Sequence, residues 1–199
     1  MRRVALAAAG ALAAIALVAL GFLAEAHWEI RKVAPALPTA AALRAVGQGG
    51  DGPVRVRYVN TASQRGMHPG GGTYGGFVLE WPDGRAFAID VGMTREGAVA
   101  FGRALEWLVG ADPAAPHGSL AEQRGAAVHR IDAVAFTRLH VDHTEGMAAL
   151  CAARGAPVRV YQTPDQRARH NYTTTPGLAD VDEAGCAERA PLTPGDGAL

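Results

Sequence analysis

Lysine is almost missing from this sequence. Lys32 is the only one, so the 19 basic residues are nearly all arginine, and they balance 19 acidic residues to a formal charge of zero. With no surplus of positive charge and no long basic run, the chain carries no electrostatic footprint for nucleic acid. Cysteine is scarce as well, with Cys151 and Cys186 the whole complement. Neither stands near the N-terminus, which excludes a lipid-modified anchor there. No internal repeat is evident. What is present in quantity is alanine, glycine and arginine, the composition of a GC-rich bacterial gene. A length of 199 residues, 49% of them hydrophobic, suits one ordinary globular domain together with an apolar segment.

That segment is the N-terminus. Met1-Arg2-Arg3 is a short basic head, and Val4 to Ala24 follow without a charge. The run is long enough to cross a bilayer as a helix, which takes about 20 apolar residues. It is also longer than the roughly 7–15 residues at the heart of a cleavable signal peptide. Against an anchor, Ala24-Glu25-Ala26 fits the small-x-small pattern of a cleavage site. Both readings stay open, and in both the basic head stays in the cytoplasm while the rest is exported. The expected location is the inner membrane, single-pass with a periplasmic domain, or the periplasm itself after cleavage at Ala26. In an exported chain Cys151 and Cys186 are candidates for a disulfide, although Cys151 reads equally well as a small apolar residue on a helix. The expected division is 1–26 for the membrane or signal segment, 27–53 for a proline- and glycine-containing linker, and 54–199 for the folded domain.

Within the domain, Val54 to Asn60 alternate as a half-buried strand does. The glycine-rich "RGMHPGGGTYGG" follows, then the strands "FVLEW" and "RAFAIDVG" joined at Pro82-Asp83-Gly84, a strong turn signal. Gly70 to Gly75 match Gly-x-Gly-x-x-Gly literally, but a strand pattern follows where a dinucleotide site needs a helix, so they read as a mobile loop. Thr94 is placed to cap a helix to about Val109 with Phe101, Leu105 and Leu108 as its core stripe, and Gly110 to end it. Ala111 to Arg130 is loop-like, with room for a short helix. Ile131 to Thr137 is apolar enough for a strand covered on both faces. Thr144 to Arg154 reads as a helix and "PVRVYQT" as a strand, after which no further element is clear. The order is hairpin-rich β, then β–loop–helix–β.

Between that buried strand and the next helix stands "FTRLHVDHTEG", with His140, Asp142 and His143. Ligands tend to bind at the carboxyl ends of strands in open α/β sheets. Imidazole nitrogens and a carboxylate converging from one turn suit zinc better than calcium or magnesium. The structural alternative is that Asp142 and Glu145 form an acidic capping box at a helix start and the histidines are incidental.

The stretch resembles the His-x-His-x-Asp-His signature of the metallo-β-lactamase superfamily, and "FAIDVG" resembles an earlier strand of that family that ends in an aspartate, here Asp90. The resemblance runs from about Val54 to Thr163. It implies an α+β fold, an αββα sandwich, of which this chain holds the first half. It also implies a metal-dependent hydrolase acting on a small molecule of unknown class, with a metal-bound hydroxide whose parent water has its pKa lowered to about 7. His140 would belong to a first metal, Asp142 and His143 to a second, with Asp142 the residue nearest the chemistry and Asp90 behind the ligands. His68 and Tyr74 would lie near the site mouth.

Two departures stand out. Arg138 occupies the place of the first histidine, and an arginine cannot be deprotonated to ligate. The histidine and aspartate ligands of a second half have no counterpart, since the only later histidine is His170 in an unrelated context. The expectation is therefore one weak zinc site where an intact family member has two, and impaired hydrolysis. A sheet face would be left open for a missing half or a partner chain. The competing expectation is an inactive, membrane-tethered binding module.

Overall fold

A computed structural model describes residues 2–30, 39, 41, 52–66, 70–168 and 170–192. The chain divides into two compact units, Met1–Gln48 and Gly49–Leu199. The first contains helix α1, Arg2–Ile30, so the uncharged run lies inside one helix that continues past Ala26. Among the described residues no helix is long and apolar enough to cross a membrane. The first four residues of the expected linker, 27–30, belong to α1, and most of the rest lies outside the described residues.

The second unit is built on one mixed seven-stranded sheet in the order β4-β1-β2-β3-β5-β6-β7. In chain order its elements are β1 (Arg55–Gln64), β2 (Gly72–Glu80), β3 (Ala86–Ile89), α2 (Arg95–Val109), β4 (Ala115–Pro116), α3 (Leu120–Arg124), β5 (Ile131–Ala135), α4 (Val141–Thr144), α5 (Met147–Arg154), β6 (Val158–Gln162), α6 (Pro164–Ala168), α7 (Thr175–Glu183) and β7 (Ala187–Pro191). Strands β1 to β3 form antiparallel hairpins, whereas β3, β5, β6 and β7 run parallel. The β2–β3 turn closes as expected, with Gly84 at φ 89° donating to Trp81.

Side-chain alternation gives the sheet two different faces. The row Val78, Ala88, Val134, Val160 is fully buried, packed in one core with Leu120, Met147, Leu150 and Val181 from the helices. The neighbouring rows, Val56-Leu79-Phe87 and Tyr58-Phe77-Ile89-Ala135-Tyr161, remain accessible: Val56 is 60% exposed, Tyr58 49% and Phe77 44%. Contacts along this face are aromatic, Tyr58 with Phe77 and Phe87 with Tyr161.

Several local expectations are corrected. The glycine-rich segment is not a loop throughout: β2 begins at Gly72, because the strands approach too closely for side chains. A Cβ on Gly75 would lie 1.9 Å from the Val59 carbonyl oxygen, and one on Gly76 would lie 2.1 Å from that of Asp90. Leu108 is not core but 65% exposed, while Phe101 and Leu105 do pack inward. The helix expected from Thr144 is broken at Glu145–Gly146. Gly146 packs against the carbonyls of Val91 and Gly92 and starts α5 afresh. The chain beyond Gln162 is not structureless, since α6, α7 and β7 follow and β7 extends the parallel sheet. The helix from Arg95 behaves as read, with Thr94 accepting from Gly97 N at its start and Gly110 in the left-handed conformation at its end.

Cys151 and Cys186 are disulfide-bonded, with Cα atoms 5.4 Å apart. Closing a loop over a separation of 35 residues contributes about 4 kcal/mol in the chain-entropy picture.

Glu80 sits at the end of β2 with Arg57 and Arg124 donating to it at 3.0 and 2.6 Å. Burial pushes its carboxyl up, but those hydrogen bonds and the two charges outweigh it and hold the group below its ordinary 4.5. A folded value below the unfolded one means stability that is present above about pH 4.5 and is lost as pH falls through the folded value. Glu80→Gln should therefore cost stability near neutrality and progressively less in acid. Urea unfolding at about pH 7 and pH 4 reads this, and a constant gap would remove Glu80 from the linkage. Gly76→Ala should lose about 3 kcal/mol from overpacking, a fall in Tm of roughly 6–12 °C. A thermal melt unchanged from the parent would contradict the close approach.

Candidate functional site

The carboxyl ends of the paired parallel strands β3 and β5 bring Asp90 beside Thr137. Asp90 is the one described non-glycine residue at positive φ, 61°, a backbone state that aspartate tolerates better than most residues. Its side chain is buried, accepts two hydrogen bonds from Thr137 and lies against the His143 ring. Oδ1 accepts from Thr137 N at 2.9 Å, Oδ2 accepts from Thr137 Oγ1 at 2.7 Å, and His143 Nδ1 lies 2.9 Å from Oδ2. The main chain doubles the connection: Val91 N donates to His143 O at 2.9 Å and Gly146 N to Gly92 O at 2.8 Å. The end of β3 is thus locked to the turn that carries the histidines.

This packing fixes the His143 ring. Nδ1 lies 3.1 Å from Thr137 Oγ1, whose own proton goes to Asp90, so Nδ1–H donates to that hydroxyl and Nε2 is left as the acceptor nitrogen. Nε2 accepts from Arg138 Nε at 3.1 Å. The same guanidinium reaches Asp142 with Nη2, at 3.4 Å to Oδ1 and 3.3 Å to Oδ2. Asp142 Oδ1 also meets His140 Nδ1. The His140 ring rests edge-on against Phe101, centroids 5.6 Å apart, and Phe101 in turn meets Tyr74. Burial first, and then the charge of Asp142, push the Tyr74 phenol up.

The structure therefore brings together Asp90, Arg138, His140, Asp142 and His143, all drawn from the sequence. His68 lies outside the described residues, and His170 sits elsewhere, within hydrogen-bonding distance of Arg167 O. The donor set does not fit zinc as arranged. The two acceptors facing the centre, His143 Nε2 and the Asp142 carboxylate, are both taken by Arg138, and His140 Nδ1 is turned to Asp142. Among the described residues no group of three or more histidine, cysteine, aspartate or glutamate side chains is placed to hold a metal. As arranged, these side chains form a network centred on a guanidinium, a fixed cation standing between an imidazole and a carboxylate.

The capping-box alternative is corrected. α4 begins at Val141 with no side-chain cap, and Glu145 reaches instead to Thr94, accepting from its N at 2.5 Å and its Oγ1 at 2.7 Å. That carboxylate anchors the start of α2 to the histidine turn. A Cβ on Gly97 would lie 2.3 Å from it. The sequence reading took Thr137 only as the end of a strand and Glu145 only as a capping-box partner. Both stand inside the quoted motif, and what they do is visible only once β3 and α2 are placed in space.

No protein-family model and no curated protein matches the chain. Solved structures do resemble it. An N-acyl homoserine lactone hydrolase with product bound at its catalytic metal centre is 13% identical, with a TM-score of 0.46, covering 74% of this chain and 64% of that one. A quorum-quenching N-acyl homoserine lactone hydrolase is 11% identical, TM-score 0.44, covering 71% and 60%. A probable metal-dependent hydrolase from Staphylococcus aureus is 13% identical, TM-score 0.43, covering 74% and 63%. These solved structures are members of the metallo-β-lactamase superfamily. The chain spans less than two-thirds of the length of each, and at such identity and TM-score the likeness alone carries no chemistry across.

Asp90 offers a direct check on this geometry. Asp90→Asn keeps the shape and tolerance of positive φ but loses the charge, and should cost about 1–3 kcal/mol. Asp90→Gly relieves the backbone and loses every side-chain bond, and should cost at least as much. Urea midpoints separate the cases: a stabilised glycine variant would mean that backbone strain outweighs the three contacts.

Proposed function

We propose that this chain carries the metal-site half of a hydrolase of the metallo-β-lactamase type, exported and held at the membrane by α1, with its hydrolysis impaired by Arg138. The observation that carries the reading is the guanidinium between His143 Nε2 and Asp142, the two groups that the motif would turn toward a metal. His140, Asp142 and His143 are the ligand positions, Asp142 the residue closest to the reaction, and Asp90 the buried carboxylate that orients His143. When present, zinc would supply a hydroxide nucleophile near neutral pH. The substrate would be a small molecule, and its class is left open because fold does not choose one. The disulfide supports export, since such bonds persist in oxidising compartments. The uncharged run within one helix supports attachment to the bilayer.

A second reading, an inactive tethered binding module, is favoured by the accessible rows around Tyr58 and Phe77. Such a face suits another sheet or a partner chain.

Metal binding separates the two. In the full chain, Arg138→His removes the competing cation and restores a donor, so zinc affinity in equilibrium dialysis should rise at least about tenfold. The parent chain should hold zinc weakly. Tight stoichiometric zinc in the parent would refute the role given to Arg138. An Arg138→His chain that binds no better would favour the binding module. Assays on lactone, lactam, thioester and phosphodiester substrates then ask whether hydrolysis returns with the metal.

A further inference from the structure

At the opposite end of the strands from the histidine turn lies a cavity of about 390 Å³. It gathers Arg55 and Arg57 from the start of β1, Glu80 and Trp81 from the end of β2, Arg124 from the end of α3, and Arg130 from the 3-10 turn before β5. Four guanidiniums thus face one carboxylate. Glu80 is shared by three of them, Arg55 at 3.6 Å, Arg57 at 3.0 Å and Arg124 at 2.6 Å. Arg130 makes no ion pair among the described residues, and its Nη1 reaches the β2–β3 turn, 3.9 Å from a Cβ built on Gly84. The nearby acid of that turn, Asp83, is engaged with Arg85. Arg124 is the most enclosed of the group, its side chain 11% exposed, and its buried Nε has no hydrogen-bond partner. A desolvated guanidinium with an unmet donor is costly unless an anion answers it.

We propose that this cavity is a binding site for a phosphate-bearing ligand with at least two negative charges. The surplus of three cations over Glu80 sets the charge. The class follows from the directions of approach, since the forks come from a strand, a helix end and a turn. A planar carboxylate offers two oxygens in one plane, whereas phosphoryl groups offer several, in the geometry that guanidinium forks match. The volume falls within the range of small-molecule sites, and Trp81 lines the same wall. The ligand is either a free phosphate compound or the phosphate of a lipid headgroup.

The probe is inorganic pyrophosphate, titrated into the full chain in neutral detergent. Trp28 and Trp107 lie outside the cavity, so with both changed to phenylalanine the fluorescence reports Trp81 alone. Saturable binding of one equivalent is expected, weakened about tenfold or more in Arg130→Ala and in Arg57→Ala, and unchanged in Arg159→Ala, an exposed arginine elsewhere on the sheet. Isothermal titration of the same variants checks the stoichiometry. Co-sedimentation with phosphatidylcholine vesicles, with and without phosphatidate, identifies the source. Phosphatidate-dependent binding lost in Arg130→Ala points to a headgroup, and pyrophosphate binding without that dependence points to a free compound. The proposal is overturned if pyrophosphate fails to saturate below about 10 mM. It is equally overturned if Arg159→Ala weakens binding as much as Arg130→Ala, or if Arg138→Ala abolishes it.

Discussion

The buried carboxylate of Asp90 is the joint on which the rest of the domain turns. It ends β3, accepts both donors of Thr137 at the end of β5, and lies against the imidazole of His143. A residue held at positive φ persists only where its surroundings over-determine it, and here they do. The neighbouring glycines let β2 and the histidine turn close in on the same backbone, Gly76 against Asp90 and Gly146 against Val91 and Gly92. The placement of Thr137 and of the His143 ring follows from that one buried carboxylate.

The second constraint is charge. His143 Nε2 and the Asp142 carboxylate are acceptors on one turn, and a cation lies between them. The fold supplies it from its own chain, two residues before His140. Arg138 enters from the solvent side, with its side chain 58% exposed, and it satisfies Asp142 without being buried itself. An ion pair that exposed is worth little in stability, so its consequence is one of occupancy: it claims lone pairs that another positive group would need.

Much of this was legible in the sequence. The order of the main strands and helices as far as Gln162, the caps at Thr94 and Gly110, the turn at Gly84 and the grouping of Asp90 with the histidine turn all follow from local chemistry or from a motif, whereas the pairing of Cys151 with Cys186 was one of two open readings. What was not legible depends on contacts between distant segments. Nothing in "GGGTYGG" says that Gly75 and Gly76 lie within a strand, because the reason is the backbone of β1 and β3 pressing on them. Leu108 has the spacing of a core residue, but α2 rests on the sheet only as far as Leu105. Glu145 has the spacing of a capping box, yet its partner is Thr94, far earlier in the chain. Beyond Gln162 the composition is polar, and β7 forms all the same because β6 offers an unpaired edge and the disulfide holds its start in place.

That disulfide also makes the C-terminal third of the domain a closed ring. From Cys151 in α5, the path runs through β6, α6 and α7 to Cys186 and back through sulfur. A single break in the backbone anywhere along that path, including the exposed stretch around Tyr172, opens the ring without dividing the molecule. Both new ends stay attached, and the strand at the sheet's edge keeps its neighbour. Scission along this path and loss of structure thereby become separate events.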